Sequence, residues 1–344
     1  MEKTTVLIMG TGGTIAGIGT KNNYKSGTLG LEKVLEPVGY DKDSITLKLE
    51  QISEGDGVDK SSGFIVQLAY YIVRRTAYFK KCCPAITAIV ALVGSDAIAE
   101  LMSALNCLPE PGITVAVTGA ADPATDPNAD GPGNISDAIK VVVHPEALGR
   151  GPMLVFNHKI MCGPSIRKKD VQSKDAFESG PGPVGHIDDG HVSFSVPVSG
   201  RPPHIIEKVD MSNVLRLPPV GTEFITHDYD PERMNSLIKH TGIKAFIFIT
   251  MGNGYSNQAR EGIREILKDH DMIAVLCTAT GQPLVKSNAG FGIPGGYLSV
   301  RTIEIILKIC LLAKKDRGEI ERIIHGRGQV ELLRQTDVAS SSVA

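Results

Sequence analysis

TTVLIMGTGGTIAG, residues 4–17, is an apolar run that stops abruptly among four glycines, with Thr11 and Thr14 set between them. An unbroken apolar run bounded by glycine suits a strand buried on both faces, as in a parallel sheet. Similar runs recur at 87–93, 112–118 and 152–156, a smaller strand signal lies at 45–52, and helical patterns stand between them at 63–79 and 96–105. Strands that alternate with helices predict an α/β layer with helices on both faces of a parallel sheet. Toward 178–203 the letters change to ESGPGPVGHIDD, an alternating HVSFSVPV and SGRPP, which predicts an antiparallel or irregular excursion. Beyond it AFIFIT (245–250), MIAVLCTAT (272–280) and the helical patterns around 258–270 and 301–315 form a second strand-helix series. The expectation is two α/β domains: a larger N-terminal parallel-sheet domain over 1–205, a linker over 206–218 and a smaller C-terminal domain over 219–344.

The glycine turn narrows the chemistry. Counted from Gly10, a dinucleotide fingerprint needs its last glycine where Ile15 stands, and no G-K-[ST] follows to make a P-loop. What remains is a tight turn at a strand end, the usual ligand position in α/β sheets, presenting two hydroxyls. By its chemistry alone, Thr14 can be a nucleophile, a hydrogen-bond partner for substrate, or a local cap.

The letters TGGTIAG resemble the opening signature of the bacterial-type L-asparaginases and glutaminase-asparaginases. The resemblance implies that Thr14 is the acylated nucleophile. It implies that Tyr24, within NNYKSGTLGLEKVL (22–35), sits on a mobile lid and assists the Thr14 hydroxyl, with Gly19 and Gly27 giving the lid its freedom. QISEGDG (51–57) stands where the family binds the substrate's alpha groups, which makes Ser53 and Glu54 substrate-binding candidates. VGSDA (93–97) is similar to the family's H-G-T-D-T: Ser95 and Asp96 fall to catalysis and Gly94 to substrate contact, although Gly-Ser-Asp after a strand is also an ordinary helix start with Ser95 or Asp96 as cap. In IRKKDVQSKDAFES (166–179) the register against Phe177 and Ser179 selects Lys168 as the catalytic lysine, oriented by Asp96. Backbone N–H groups around Gly12 to Thr14 and Ser95 to Asp96 are the expected oxyanion or carboxylate donors.

ADGPGN (129–134) keeps the family's S-A-D-G-P-x-N pattern, but Asp122 occupies the usual arginine position before it. In MGNGYSN (251–257), similar to a strand-end loop that reaches a neighbouring subunit's site, Asn253 and Tyr255 are the binding candidates, with Tyr255 in place of an asparagine. The expected reaction is hydrolysis of the side-chain amide of L-asparagine to aspartate and ammonia through a threonine acyl-enzyme, without cofactor, in a homotetramer of dimers with shared sites. Glutamine or another small amide, and a silent amino-acid-binding regulator, are the competing readings.

Composition agrees with a soluble enzyme and removes other classes. Charged residues make up 22% and the net charge is -2, so there is no positive field to collect nucleic acid. No apolar run is long enough to span a bilayer and no signal-peptide core forms, which predicts a cytoplasmic protein without a membrane partner. Six scattered cysteines and nine histidines show no zinc-ligand spacing, so no metal is expected.

Overall fold

The computed structural model describes residues 3–326 apart from 84–85, 110–111, 181, 199–213, 215, 255–256, 281–284 and 287–288. The chain forms two compact units, Met1–Arg201 and Pro202–Ala344. Most of the expected linker over 206–218 lies outside the described residues.

The first unit runs β1 (Thr4–Gly10), β2 (Ile18–Thr20), β3 (Asn23–Lys25), α1 (Leu31–Leu35), β4 (Ile45–Gln51), α2 (Ser62–Cys82), β5 (Ile86–Leu92), α3 (Ile98–Cys107), β6 (Thr114–Thr118), α4 (Gly131–Val143) and β7 (Pro152–Phe156). It continues through β8 (Lys159–Cys162), β9 (Arg167–Lys168), β10 (Phe177–Glu178), β11 (Gly185–Asp188) and β12 (His191–Phe194). Eight of these strands make one sheet in the order β12-β11-β8-β7-β6-β5-β1-β4. From β4 to β7 neighbours run parallel, and β8, β11 and β12 continue the sheet antiparallel. The sheet is therefore mixed rather than purely parallel. The switch has a local cause: Asn157 and His158 both take left-handed conformations, φ 49° and 59°, and make the two-residue turn that suits a hairpin. The alternating HVSFSVPV patch becomes the outermost strand, as half-exposed alternation predicts.

The second unit has β13 (Val220–Phe224), α5 (Glu232–Thr241), β14 (Ala245–Thr250), α6 (Arg260–Asp269), β15 (Ile273–Thr278), β16 (Ile293–Pro294) and α7 (Val300–Leu312). Its four strands are parallel, in chain order. Ala245–Thr250 is buried at every position, which explains its continuous apolar letters. Serine caps begin two of the long helices: Ser61 accepts from the Phe64 amide before α2, and Ser299 from the Thr302 amide before α7. Among the described residues no helix is long and apolar enough to cross a membrane.

At the carboxyl ends of β1 and β5, three loops meet through glycine backbone alone. The amide of Gly13 donates to the Gly55 carbonyl (2.9 Å), that of Gly55 to Gly27 (3.3 Å), and that of Gly27 back to Gly13 (2.9 Å), closing a ring. Gly94 packs against the same ring: a Cβ on Gly13 would lie 2.3 Å from its Cα, and a Cβ on Gly94 would lie 2.9 Å from the Cα of Gly57. Gly27 is thus a point of close approach rather than a source of lid freedom. Gly13→Ala meets both this clash and a φ of 87°. It is expected to destabilise the first unit by at least about 3 kcal/mol in urea unfolding. Gly133→Ala, in α4 with open space around its Cβ, is expected to gain up to about 1 kcal/mol in the same experiment.

Candidate active site

Thr14 follows the glycine ring directly and opens a single 3₁₀ turn, Thr14–Ala16. Its side chain does not cap that turn; its oxygen lies 3.0 Å from the Tyr24 hydroxyl. Thr14 is 6% exposed and Tyr24 40%, so the pair links a buried hydroxyl to the surface. Tyr24 comes from the β2–β3 hairpin, where it is paired with Gly19. Its ring lies against Gly17, 3.0 Å from where a Cβ would be, and a Cβ on Gly19 would collide with the Tyr24 backbone. The hairpin therefore requires both glycines to bring the phenol over the threonine.

The second cluster stands on the neighbouring strand end. Lys168 Nζ donates to Ser95 Oγ (2.9 Å) and to Asp96 Oδ1 (2.8 Å). Helix α3 begins only at Ile98, with Ala97 as a cap that makes no side-chain bond. The cap position thus falls on Ala97, while the side chains of Ser95 and Asp96 accept from the lysine. Gly94 to Ala97 forms a tight turn instead, with the Ala97 amide on the Gly94 carbonyl at 2.9 Å. Since Gly13 and Gly94 are in backbone contact, Thr14 and Ser95 each stand one residue beyond the same junction.

Lys168 is presented by the short β9–β10 ribbon, in which it pairs with Phe177. Its two basic neighbours are neutralised elsewhere: Arg167 Nε donates to Glu178 Oε1 (2.7 Å), and Lys169 Nζ to Asp175 Oδ2 (2.9 Å). Asp175 also accepts from Lys159 on β8 at 2.7 Å. These two lysines hold its carboxyl below the usual carboxylate range.

The remaining sequence candidates divide. Ser53 Oγ donates to the Thr11 carbonyl at 3.2 Å, inside the same strand-end region. Glu54 is exposed, and its carbonyl, not its carboxylate, takes the Lys60 ammonium. Asn253 belongs to the second unit, where its Oδ1 accepts from the Lys286 amide at 2.6 Å. Tyr255 lies outside the described residues. Two expectations about donors and hydroxyls are corrected. The Gly13 amide is committed to Gly55, which leaves it no part as an oxyanion donor. Thr11 presents no hydroxyl to a ligand, because both its hydroxyl and its amide donate to the Leu92 carbonyl at 3.0 Å, tying β1 to β5.

The ADGPGN segment is scaffold. Asp130 accepts from the Ala121 and Asp122 amides, and Asn134 bridges the Gly119 carbonyl to the Asn157 amide. Asp122, in the place of the expected arginine, is buried between Lys21 (3.1 Å) and Lys174 (3.8 Å). Among the described residues no group of three metal-ligating side chains occurs. Burial pushes the Cys277 thiol up to about 12, so it offers no thiolate near neutrality.

The sequence matches the family described as "Asparaginase, N-terminal" over residues 5–199, more than half of the chain. The chain belongs to the asparaginase family. It is 26% identical to L-asparaginase 2 of Bacillus subtilis over 325 residues, covering 92% of this chain and 84% of that protein. It is 25% identical to L-asparaginase 2 of Escherichia coli over 335 residues, 93% and 92% of the two chains. The crystal structure of the probable cytoplasmic L-asparaginase of Campylobacter jejuni superposes with a TM-score of 0.83 at 25% identity, over 94% of this chain and all of that one. Membership sets the reaction class of this asparaginase-family protein as amidohydrolase.

The Lys159–Asp175–Lys169 chain that braces the ribbon has a definite pH signature. A depressed carboxyl pKa means stabilisation is fully present above the unfolded value, about 4, and is lost as pH falls through the folded value. In urea titrations Asp175→Asn is expected to cost up to about 1 kcal/mol at pH 7. The difference from the parent should vanish once the pH is below the folded value.

Proposed function

We propose that the protein hydrolyses the side-chain amide of L-asparagine, with Thr14 as the acylated nucleophile. The observation that carries this reading is the 3.0 Å contact between the Thr14 and Tyr24 hydroxyls, one residue from the junction that brings Ser95, Asp96 and Lys168 alongside. Thr14 Oγ1 attacks the carboxamide carbon as its proton passes to the Tyr24 oxygen and the phenol's own proton enters the relay that ends at Lys168. The C–N bond then breaks, ammonia leaves with a proton delivered through the Lys168 relay, and an ester on Thr14 remains. Water attacks that ester, giving aspartate and the free threonine.

Asp96 fixes the Lys168 ammonium in place and balances its charge, while Ser95 and Gly94 face the substrate at the end of β5. Ser53 lines the other side of the turn, and Glu54, exposed on its loop, meets the substrate ammonium only if that loop turns inward. A cytoplasmic location is part of the proposal, in keeping with the Campylobacter protein. So is a homotetramer of dimers, in which Asn253 and Tyr255 of one subunit serve the site of another; sedimentation equilibrium measures the subunit number.

The test is ammonia release from L-asparagine, D-asparagine, L-glutamine and N-substituted amides. L-Asparagine is expected to be the best substrate. Thr14→Ala should leave no turnover, Lys168→Met should lower kcat by about 10²–10⁴-fold, and Tyr24→Phe by about 10²-fold, as removal of a general acid or base does. Preference for glutamine would move the assignment within the amide class. Binding of an amino acid with no turnover by the parent protein would make it a sensor.

A further inference from the structure

The β2–β3 hairpin that carries Tyr24 has two strands of three residues each, too little to be stable without external anchors. Its anchors come from two segments. In the loop before α4, Thr125 Oγ1 accepts from the Gly19 amide (2.8 Å) and donates to the Gly19 carbonyl (2.9 Å), and Asp126 Oδ2 accepts from the Lys21 amide (2.7 Å). The Lys21 ammonium donates to the Gln172 carbonyl at 2.8 Å, in the loop that joins the two strands of the Lys168 ribbon, and lies 3.1 Å from Asp122 Oδ1. Lys21 thus touches both the hairpin's floor and the segment that presents Lys168.

Asp122 makes this contact different from an ordinary surface pair. It is 2% exposed, and its other cation, Lys174, stands 3.8 Å from the opposite oxygen. A buried carboxylate that loses a partner retains its desolvation penalty. With the hairpin down, Asp122 has two ammonium neighbours; with the hairpin lifted it keeps only the more distant one. The penalty of opening therefore falls on a residue that is not part of the lid.

We propose that Lys21 is a positioning residue whose ion pair with buried Asp122 latches the Tyr24 hairpin over Thr14 and in register with the Lys168 ribbon. The kinetic part of this proposal rests on the amidase reading; the latch itself does not.

The experiment compares Lys21→Met, Lys21→Arg and Lys174→Met with the parent, using amide hydrogen exchange across residues 18–25 without substrate, and kcat and KM for L-asparagine. Lys21→Met is expected to speed exchange in the hairpin about tenfold, and to lower kcat about 5–20-fold with KM changed less than about twofold. Lys21→Arg should restore both to within about twofold, because the cation is kept. Lys174→Met removes a cation from Asp122 without touching the hairpin and should leave exchange at 18–25 unchanged. Parent-like exchange in Lys21→Met overturns the latch, as does equal loosening by Lys174→Met, which would reduce the effect to charge balance at Asp122. Faster exchange with an unaltered kcat overturns the positioning role. A parent protein that hydrolyses no amide removes the catalytic reading while the exchange result still decides the latch.

Discussion

The close approach of bare backbone at Gly13, Gly27, Gly55, Gly57 and Gly94 is the constraint on which the site depends. Side chains at Gly13, Gly27 or Gly94 would drive apart the loops after β1, β3, β4 and β5, whereas Gly55 has open space at its Cβ and contributes its positive φ of 82°. Without such side chains the amides and carbonyls of three loops satisfy one another, as buried backbone must. The threonine turn then inherits a fixed place and direction from its neighbours. Thr11 adds a side-chain bond that ties this junction to β5, through the Leu92 carbonyl.

Charge is handled with similar economy on the other side of the crevice. Arg167, Lys168 and Lys169 follow one another in sequence, yet cross-strand and loop carboxylates take the first and third. The middle lysine is left to Ser95 and Asp96. The buried Asp122 follows the same logic in reverse, with a single negative charge set between two lysines from separate loops.

Much of this was legible in the letters. Continuous apolar runs locate β1, β5, β6, β7, β14 and β15, because strands buried on both faces have no polar position to spare. The run IRKKDVQSKDAFES reads by composition as a solvated basic loop; only its likeness to a known family singles out Lys168. The partners that neutralise Arg167 and Lys169 depend on a ribbon register that no periodicity announces. Gly27 and Gly55 look like ordinary loop glycines, since their meaning lies in contacts between distant segments. Likewise, Gly-Ser-Asp reads as a helix cap, and its bonds to Lys168 depend on a residue more than seventy positions away. The antiparallel end of the sheet was signalled by alternation, whereas the Asn157-His158 turn that starts it is a backbone feature of two residues.

The Thr14 to Lys168 separation has a consequence for synthesis. The crevice draws on loops after β1, β4 and β5 and on a ribbon whose second strand ends only at Glu178. Such distant pairings are late events in folding, since each must first close a long loop. A nascent chain cut short before Glu178 holds the threonine and tyrosine but has no ribbon to carry the lysine. Under the proposed mechanism the Thr14 hydroxyl is therefore born latent, and it gains its lysine partner only when the sheet that surrounds it is nearly complete.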